Sequence, residues 1–191
     1  SLELGGNAPF IVFDDADLEK AATAAVGSAF RNAGQTCICA NRILVQDGVY
    51  DKFAELLASK VKALKLGRGT EEGVTCGPLI TPAALDKVHR HVEDAVSKGA
   101  TAVTGGMSPV DLSDPSCAGG YFFAPTVLRD VTPDMLCYRE ETFGPIAPLF
   151  RFREEADAVA MANDTEYGLA AYFYTADVGR TWRVAEALEY G

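Results

Sequence analysis

Apolar residues recur along this chain in two alternating patterns, one typical of buried strands and one typical of amphipathic helices. A continuous apolar run at residues 9–13 predicts the first strand. Asp14 and Asp15 are the expected N-cap of a helix that ends near Asn32, with Gly34 as its stop. Spacings of three and four place one apolar stripe along this helix, made of Leu18, Ala21, Ala22, Ala25, Val26, Ala29 and Phe30.

The same alternation continues to the end of the sequence. Thr81 and Pro82 are an N-cap and a first-turn proline for a third helix, with an inner face of Leu85, Val88, Val92 and Val96. A second helix before it has inward side chains at Phe53, Leu57, Val61 and Leu64. Further strands are predicted at 42–46, 101–106, 121–128, 147–152 and 169–174, and further helices at about 153–162 and from near Asp177.

Strands and helices that alternate in this way predict an α/β domain with a mainly parallel sheet. The loops at 67–77 and 107–120 interrupt the pattern, and the second, rich in Ser, Pro, Gly and Asp, is expected to be the least structured stretch. The 191 residues, 48% of them hydrophobic, fit one domain or a large part of a larger protein. The abrupt first residues, "SLEL", favour a domain excised from a longer chain.

The net charge and the cysteine content limit the partners and the compartment that the sequence can imply. The net charge of −10 argues against a partner such as nucleic acid, and no apolar run approaches the ~20 residues that span a membrane. The five cysteines are odd in number and irregularly spaced. They predict free thiols in a reducing, intracellular compartment, cytoplasmic or mitochondrial.

Cys37, in "NAGQTCICANR", follows a helix-ending glycine at a turn where backbone N–H groups can face an oxyanion. Taken alone, Cys37 and Cys39 could equally be two small core residues. A zinc site lacks a second cysteine pair, and no metal site is expected. A Cys–His hydrolase pairing has no local support, because "KVHRHVE", which carries His89 and His91, predicts a solvated helix face.

Two further stretches hold carboxylates at tight turns. "LELGGNAP" places Glu3 directly before a glycine pair, and "EETFGP" presents Glu141 and Phe143 together before a Gly-Pro turn. Taken alone, Glu3 could be a surface glutamate, and "EETFGP" could be only a loop.

Together, the three stretches resemble the aldehyde dehydrogenase family over the whole chain. "LELGGNAP" is similar to its glutamate motif, "FRNAGQTCICAN" to its cysteine motif and "EETFGP" to its nicotinamide-side loop. The resemblance implies a three-layer α/β catalytic domain over residues 1–191, with Cys37 as nucleophile and Glu3 as general base. It also implies that Leu4, Gly5, Glu141 and Phe143 contact an NAD or NADP cofactor.

Within this family, the stretches "FRNAGQTCICANR", "DMLCYREETFGPIAP" and "LAAYFYTAD" most resemble the succinate-semialdehyde dehydrogenases. That resemblance implies a small aldehyde substrate, with Arg31, six residues before the nucleophile, binding its distal carboxylate. It also implies that the N-terminal cofactor domain and the C-terminal end lie outside this chain. The full-length enzyme is expected to be a homo-oligomer.

Two alternatives stay open beside the dehydrogenase: a non-catalytic module that folds without doing chemistry, and a thiol hydrolase that needs no cofactor. Cys37 is predicted to be the most reactive of the five thiols. Residues two apart in a strand lie at the limit of the distance that a disulfide can bridge, so a strained and easily reduced Cys37–Cys39 disulfide is a further hypothesis. The alternative is that Cys39 only packs behind the nucleophile.

Overall fold

The computed structural model, which describes residues 1–107, 110 and 117–191, contains one six-stranded sheet. The strands are β1 Ala8–Val12, β2 Ala40–Gln46, β3 Thr101–Thr104, β4 Thr126–Arg129, β5 Ile146–Phe152 and β6 Tyr172–Tyr174. They lie side by side in the order β3-β4-β5-β2-β1-β6. Every neighbouring pair is parallel except β3 and β4. The predicted mainly parallel α/β fold is therefore confirmed.

Helices cover both faces of this sheet. They are α1 Leu18–Ala29, α2 Tyr50–Lys62, α3 Pro82–Ser97, α4 Leu136–Arg139, α5 Glu155–Asn163 and α6 Val178–Ala187. Because successive strand residues point to opposite faces, Phe10 and Val12 pack with α1 and α2, while Ile11 packs with α3 and α5. Two apolar cores on either side of one sheet give the three layers that the resemblance implied. No helix in the described ranges is long and apolar enough to cross a bilayer.

The ends of α1 differ from the prediction. Its N-cap is Asp17, whose carboxylate accepts from Lys20 N–H at 3.1 Å. Asp15 instead accepts from the Thr175 hydroxyl across the fold. The helix also ends earlier than expected, because the backbone of Asn32 turns left-handed at φ 51° and can no longer continue it.

Other boundaries shift for identifiable reasons. The predicted 121–128 strand is regular only from Thr126, since Pro125 brings no N–H to a sheet ladder, and β4 extends one residue further, to Arg129. The predicted 169–174 strand begins at Tyr172, and the short helix α4 had no sequence signal. The glycine turn after β3 is present. Most of the predicted loop at 107–120 lies outside the described residues.

Helix α3 begins as predicted, with the Thr81 hydroxyl accepting from Ala84 N–H at 3.1 Å. Its inner face is rotated from the expected one, because Val96 is 47% exposed while His91 is fully buried. The prediction that "KVHRHVE" is a solvated face is therefore wrong at His91. That histidine has polar partners elsewhere in the fold, which allow its burial.

Arg42 lies fully buried in the central strand β2. Its Nε donates to the Asn7 carbonyl at 3.0 Å, and Nη1 donates to the Met161 carbonyl at 2.8 Å. Nη2 donates to the Ala162 carbonyl at 2.8 Å and to the Tyr190 hydroxyl at 3.0 Å. Main-chain oxygens thus surround this charge, and it ties β2 to segments near both ends of the chain.

Candidate active site

The cysteine turn connects α1 to β2 through three consecutive left-handed residues. Asn32, Ala33 and Gly34 have φ values of 51°, 56° and 75°. Gly34 is required here for a second reason, since a Cβ on it would lie 2.1 Å from the Gly144 carbonyl oxygen. The chain then turns sharply, with Cys39 N–H donating to the Thr36 carbonyl at 3.0 Å. This geometry fixes Cys37 at the apex between helix and strand.

Cys37 is the one half-buried cysteine, since Cys39, Cys76, Cys117 and Cys137 are all buried. Burial raises the pKa of the Cys76 thiol to about 11 and that of Cys137 to about 12. Within the described residues, the Cys37 N–H donates to no protein acceptor. An accessible thiol beside an unused N–H is the arrangement that nucleophilic attack on a carbonyl needs.

Gly6 is the point at which the glutamate, cysteine and "EETFGP" motifs meet. Its N–H donates to Glu141 Oε1 at 2.9 Å, and its carbonyl accepts from Asn41 Nδ2 at 3.3 Å. A Cβ on Gly6 would lie only 1.9 Å from the carbonyl oxygen of Cys37. The three motifs are therefore packed against one another through backbone.

Glu3 and Leu4 lie in the exposed segment that leads to Gly6. Within the described residues, the Glu3 carboxylate has no hydrogen-bond or ion-pair partner. Glu3 thus lies three residues before Gly6 and, within the described residues, makes no hydrogen bond to Cys37. Its assignment as general base stays a prediction.

Glu141 and Phe143 belong to the loop between α4 and β5. Glu141 is half-buried, with Oε1 held by Gly6, while a Cβ on Gly5 would lie 3.4 Å from Oε2. Phe143 has a left-handed backbone, φ 54°, and lines a surface groove of about 600 Å³ with Gln35 and Tyr121. A carboxylate with one oxygen anchored can accept from a ribose hydroxyl, and an aromatic ring on the same loop can pack on a planar base, so these residues could hold a nicotinamide cofactor.

Arg31 is exposed just after the end of α1, and its carbonyl accepts from the Cys39 thiol at 3.7 Å.

Sequence reasoning missed Tyr172, whose hydroxyl donates to the Ile38 carbonyl between the two cysteines at 2.8 Å. Burial raises the pKa of Tyr172, while the nearby Arg31 charge opposes that rise. The only sequence signal for Tyr172 was its place in a predicted strand.

Cys39 points into the protein, with Sγ 2.8 Å from the Thr36 hydroxyl. Burial raises the pKa of its thiol, and hydrogen bonding to Thr36 acts against that rise. Both Cys37 and Cys39 are free thiols in this structure. A disulfide between them would require Cys39 to leave Thr36, so the redox hypothesis stays a prediction.

Metal ligands are not grouped within the described part of the chain, where no cluster of three or more His, Cys, Asp or Glu side chains could hold an ion. The two histidines lie in α3 and serve other contacts. His89 packs edge-on against Phe123, with ring centroids 4.9 Å apart. His91 approaches Glu140 and Thr142 on the loop that carries Glu141.

Comparison with known proteins gives one consistent result. The sequence profile described as "Aldehyde dehydrogenase family" matches residues 1–191. Glutarate-semialdehyde dehydrogenase of Pseudomonas putida is 61% identical, and NADP(+) succinate-semialdehyde dehydrogenase of Escherichia coli is 60% identical; each match covers 100% of this chain and 38% of the relative. The crystal structure of succinate-semialdehyde dehydrogenase from Burkholderia pseudomallei has a TM-score of 0.94 at 59% identity, again over 100% of this chain and 38% of that one. The chain therefore spans well under half the length of these relatives.

Proposed function

This chain belongs to the aldehyde dehydrogenase family, and on that premise we propose that the enzyme containing it oxidises succinate semialdehyde to succinate with NAD or NADP. The supporting observation is the packing of three motifs around Gly6, which sets the accessible Cys37 beside Glu141. We further propose that residues 1–191 are the catalytic domain, and that the main cofactor-binding domain and the C-terminal end lie outside them.

In the proposed reaction, the Cys37 thiolate attacks the aldehyde carbon and forms a thiohemiacetal. The unused Cys37 N–H supports this step, because it can donate to the oxyanion that develops. A nicotinamide held beside Glu141 and Phe143 would supply the oxidant, so that loss of a hydride from this carbon would leave a thioester on Cys37. Glu3 then removes a proton from water, whose oxygen attacks the thioester, releases the acid and restores the thiol.

Four residues are proposed to position the cofactor. The free oxygen of Glu141 would accept from the nicotinamide ribose, and the ring of Phe143 would lie beside it. Leu4, 57% exposed, and Gly5, which is also exposed, would contact the nicotinamide from the segment before Gly6. The single hydrogen bond from Gly6 supports this assignment, because it orients the Glu141 carboxylate without occupying both oxygens.

Arg31 is proposed to bind the distal carboxylate of the substrate. It is exposed, it begins the cysteine turn two residues after the end of α1, and its charge acts on Cys39 and Tyr172. The names of the two relatives above, succinate- and glutarate-semialdehyde dehydrogenases, both describe aldehydes with a terminal carboxylate. The second candidate function is therefore oxidation of glutarate semialdehyde or another small semialdehyde.

Substrate identity is tested by comparing succinate semialdehyde, glutarate semialdehyde and uncharged butanal in the full-length enzyme and in Arg31→Gln. We expect succinate semialdehyde to have the highest kcat/KM. Arg31→Gln should raise KM about tenfold or more for both semialdehydes and leave butanal unchanged, since a charge-assisted hydrogen bond is worth about 1.5–3 kcal/mol. An equal loss on butanal would contradict the role of Arg31.

A rapid-mixing experiment that follows the formation of NAD(P)H distinguishes the proposed roles of Cys37 and Glu3. Cys37→Ala should abolish both the first turnover and the steady state. Glu3→Gln should keep a burst of one equivalent and then stop, because the thioester forms but is not hydrolysed. Exposed Glu93 in α3 provides the matched control, and Glu93→Gln should behave as wild type. A Glu3→Gln enzyme with normal steady-state turnover would refute the general-base assignment.

The isolated 191-residue chain is proposed to fold and to keep a reactive Cys37, yet not to oxidise aldehydes at an enzymatic rate. NADH production and limiting iodoacetamide labelling with peptide mapping test both statements. Robust turnover by the chain alone would overturn the domain assignment. We also propose that the full-length enzyme is a homo-oligomer, which the family resemblance supports and light scattering tests. A reducing compartment is proposed as well, supported by the five free cysteines.

A further inference from the structure

His91 is a fully buried polar residue that the proposed reaction does not use. It lies in α3, whose other buried residues are Val88, Val92 and Ala95. Its Nδ1 is 3.1 Å from the Thr142 hydroxyl, and its Nε2 is 3.2 Å from Glu140 Oε2. These partners flank Glu141 on either side in sequence. One imidazole therefore holds the two residues that bracket the proposed ribose ligand.

The direction of these hydrogen bonds follows from the charges. The hydrogen bond from His91 lowers the pKa of the Glu140 carboxyl, which is therefore ionised at neutral pH. A carboxylate only accepts, so Nε2 carries the proton and donates to it. The neutral ring then accepts from the Thr142 hydroxyl at Nδ1. Both ring nitrogens are satisfied in one tautomer.

The loop held in this way connects the cofactor side to the nucleophile. Phe143 follows Thr142 with a left-handed backbone, and Gly144 packs against α3, where a Cβ would lie 2.2 Å from Val88 Cγ2. The Gly144 carbonyl in turn contacts Gly34 in the cysteine turn. A shift of the loop away from α3 would therefore move the proposed cofactor contacts.

We propose that His91 is a positioning residue for cofactor binding, because it fixes the loop that carries Glu141 and Phe143 against α3. The inference rests on the proposed function, since it takes Glu141 as the ligand of the nicotinamide ribose. His91 itself touches neither substrate nor cofactor in this arrangement. Its effect should therefore fall first on cofactor affinity, because the cysteine turn is also held by its own hydrogen bonds between Thr36 and Cys39.

Burial lowers the pKa of the His91 imidazole, and the Glu140 carboxylate opposes that shift. The neighbouring charges on α3 are Lys87 and Arg90, which also disfavour a proton on the ring, and Asp94. A histidine with a lowered folded pKa stabilises the fold above its unfolded pKa of about 6.5, and this contribution is lost as pH falls below that value. Acidification should therefore loosen the loop.

The test compares His91→Phe, which removes both hydrogen bonds, with His91→Gln, whose amide can still donate to Glu140. Thr142→Val replaces the hydroxyl by a methyl group and removes only the hydrogen bond to Nδ1. It keeps the proposal testable if the histidine variants fail to fold. In the full-length enzyme we expect the Kd and KM for the cofactor to rise roughly tenfold in His91→Phe and less in the other two. KM for the aldehyde and the rate of Cys37 alkylation without cofactor should stay within about twofold.

His89→Gln is the matched control, because it makes the same change on the same helix at a residue that packs on Phe123 instead of the loop. The protection of amides 140–144 against hydrogen exchange, taken relative to the intrinsic exchange rate at each pH, should be lower in the His91 variants, and in wild type below pH 6, but not in His89→Gln. Unchanged cofactor Kd and unchanged exchange in folded His91→Phe and Thr142→Val would overturn the proposal. If the His91 variants exchange faster but the wild-type enzyme does not bind a nicotinamide cofactor, the proposed function is refuted and the role of His91 in the loop is not.

Discussion

Gly6→Ala is a minimal change at the point where the three motifs meet. The new methyl would lie 1.9 Å from the Cys37 carbonyl oxygen and 3.0 Å from its carbonyl carbon. Both atoms are backbone, so no flexible side chain can move aside. The methyl and the oxygen must separate by at least about 1.1 Å to reach the 3.0 Å below which real contacts essentially never occur.

The magnitude follows from that displacement. Inserting a methyl into a packed site costs about 1–3 kcal/mol, which lowers the unfolding temperature of a chain of this size by roughly 2–12 °C. Moving a nucleophile by about 1 Å can cost on the order of 100-fold in rate. Because Glu141 binds the Gly6 N–H, the cofactor side of the site should move as well.

Two assays separate these effects. Thermal unfolding of the 191-residue chain measures the strain, and kcat/KM of the full-length enzyme measures the misplacement of Cys37. Gly27→Ala is the control, because Gly27 is exposed in α1 with nothing within 4 Å of an added Cβ. That change should stabilise the chain by about 0.5–1 kcal/mol and leave activity unchanged. A Gly6→Ala enzyme with wild-type stability and kcat/KM would refute the reasoning.

Three other changes probe the turn and the core. Tyr172→Phe removes the hydrogen bond to the Ile38 carbonyl, and we expect the Cys37 alkylation rate to change by about two- to tenfold; an unchanged rate would contradict its role. Mild peroxide followed by dithiothreitol should inactivate and then restore the wild-type enzyme, whereas the same recoverable loss in Cys39→Ala would rule out a Cys37–Cys39 switch. Arg42→Met removes the guanidinium donors of the Asn7 and Met161 carbonyls and should lower the free energy of unfolding by about 1–3 kcal/mol for each carbonyl left without a donor, measured by urea titration, and a loss under about 1 kcal/mol would disprove its structural importance.

Elements whose signals are local could be predicted from the sequence. The stripe of α1 and the Thr81–Pro82 start of α3 depend on residues within one or two turns, and both are present. The identity of the candidate site came from the resemblance of the "GQTC", "LELGG" and "EETFGP" stretches. Their meeting at Gly6 could not be derived, because one hydrogen bond there spans 135 residues.

The errors share the same physical cause. His91 lies among charged neighbours in sequence, and its burial is made favourable by Glu140 and Thr142, which lie 49 and 51 residues away. Asp15 and Asp17 are equally suitable N-cap residues by sequence, but the Asp15 carboxylate accepts a hydrogen bond from Thr175, 160 residues away. Tyr172 gained its place at the cysteine turn through the pairing of β1 with β6. Tertiary contacts outweighed local preference at each of these positions.

The buried guanidinium in β2 also has a consequence for how the chain folds during synthesis. Strand β2 carries the apolar run Ile43, Leu44 and Val45, and such a strand is prone to pair with other chains while its edges are open. The main-chain acceptors of Arg42 at residues 161–162, and its partner Tyr190, leave the ribosome more than a hundred residues later. Before those acceptors are made, a charge directly before the apolar run would be expected to disfavour pairing with other chains. It then becomes part of the core once the acceptors arrive.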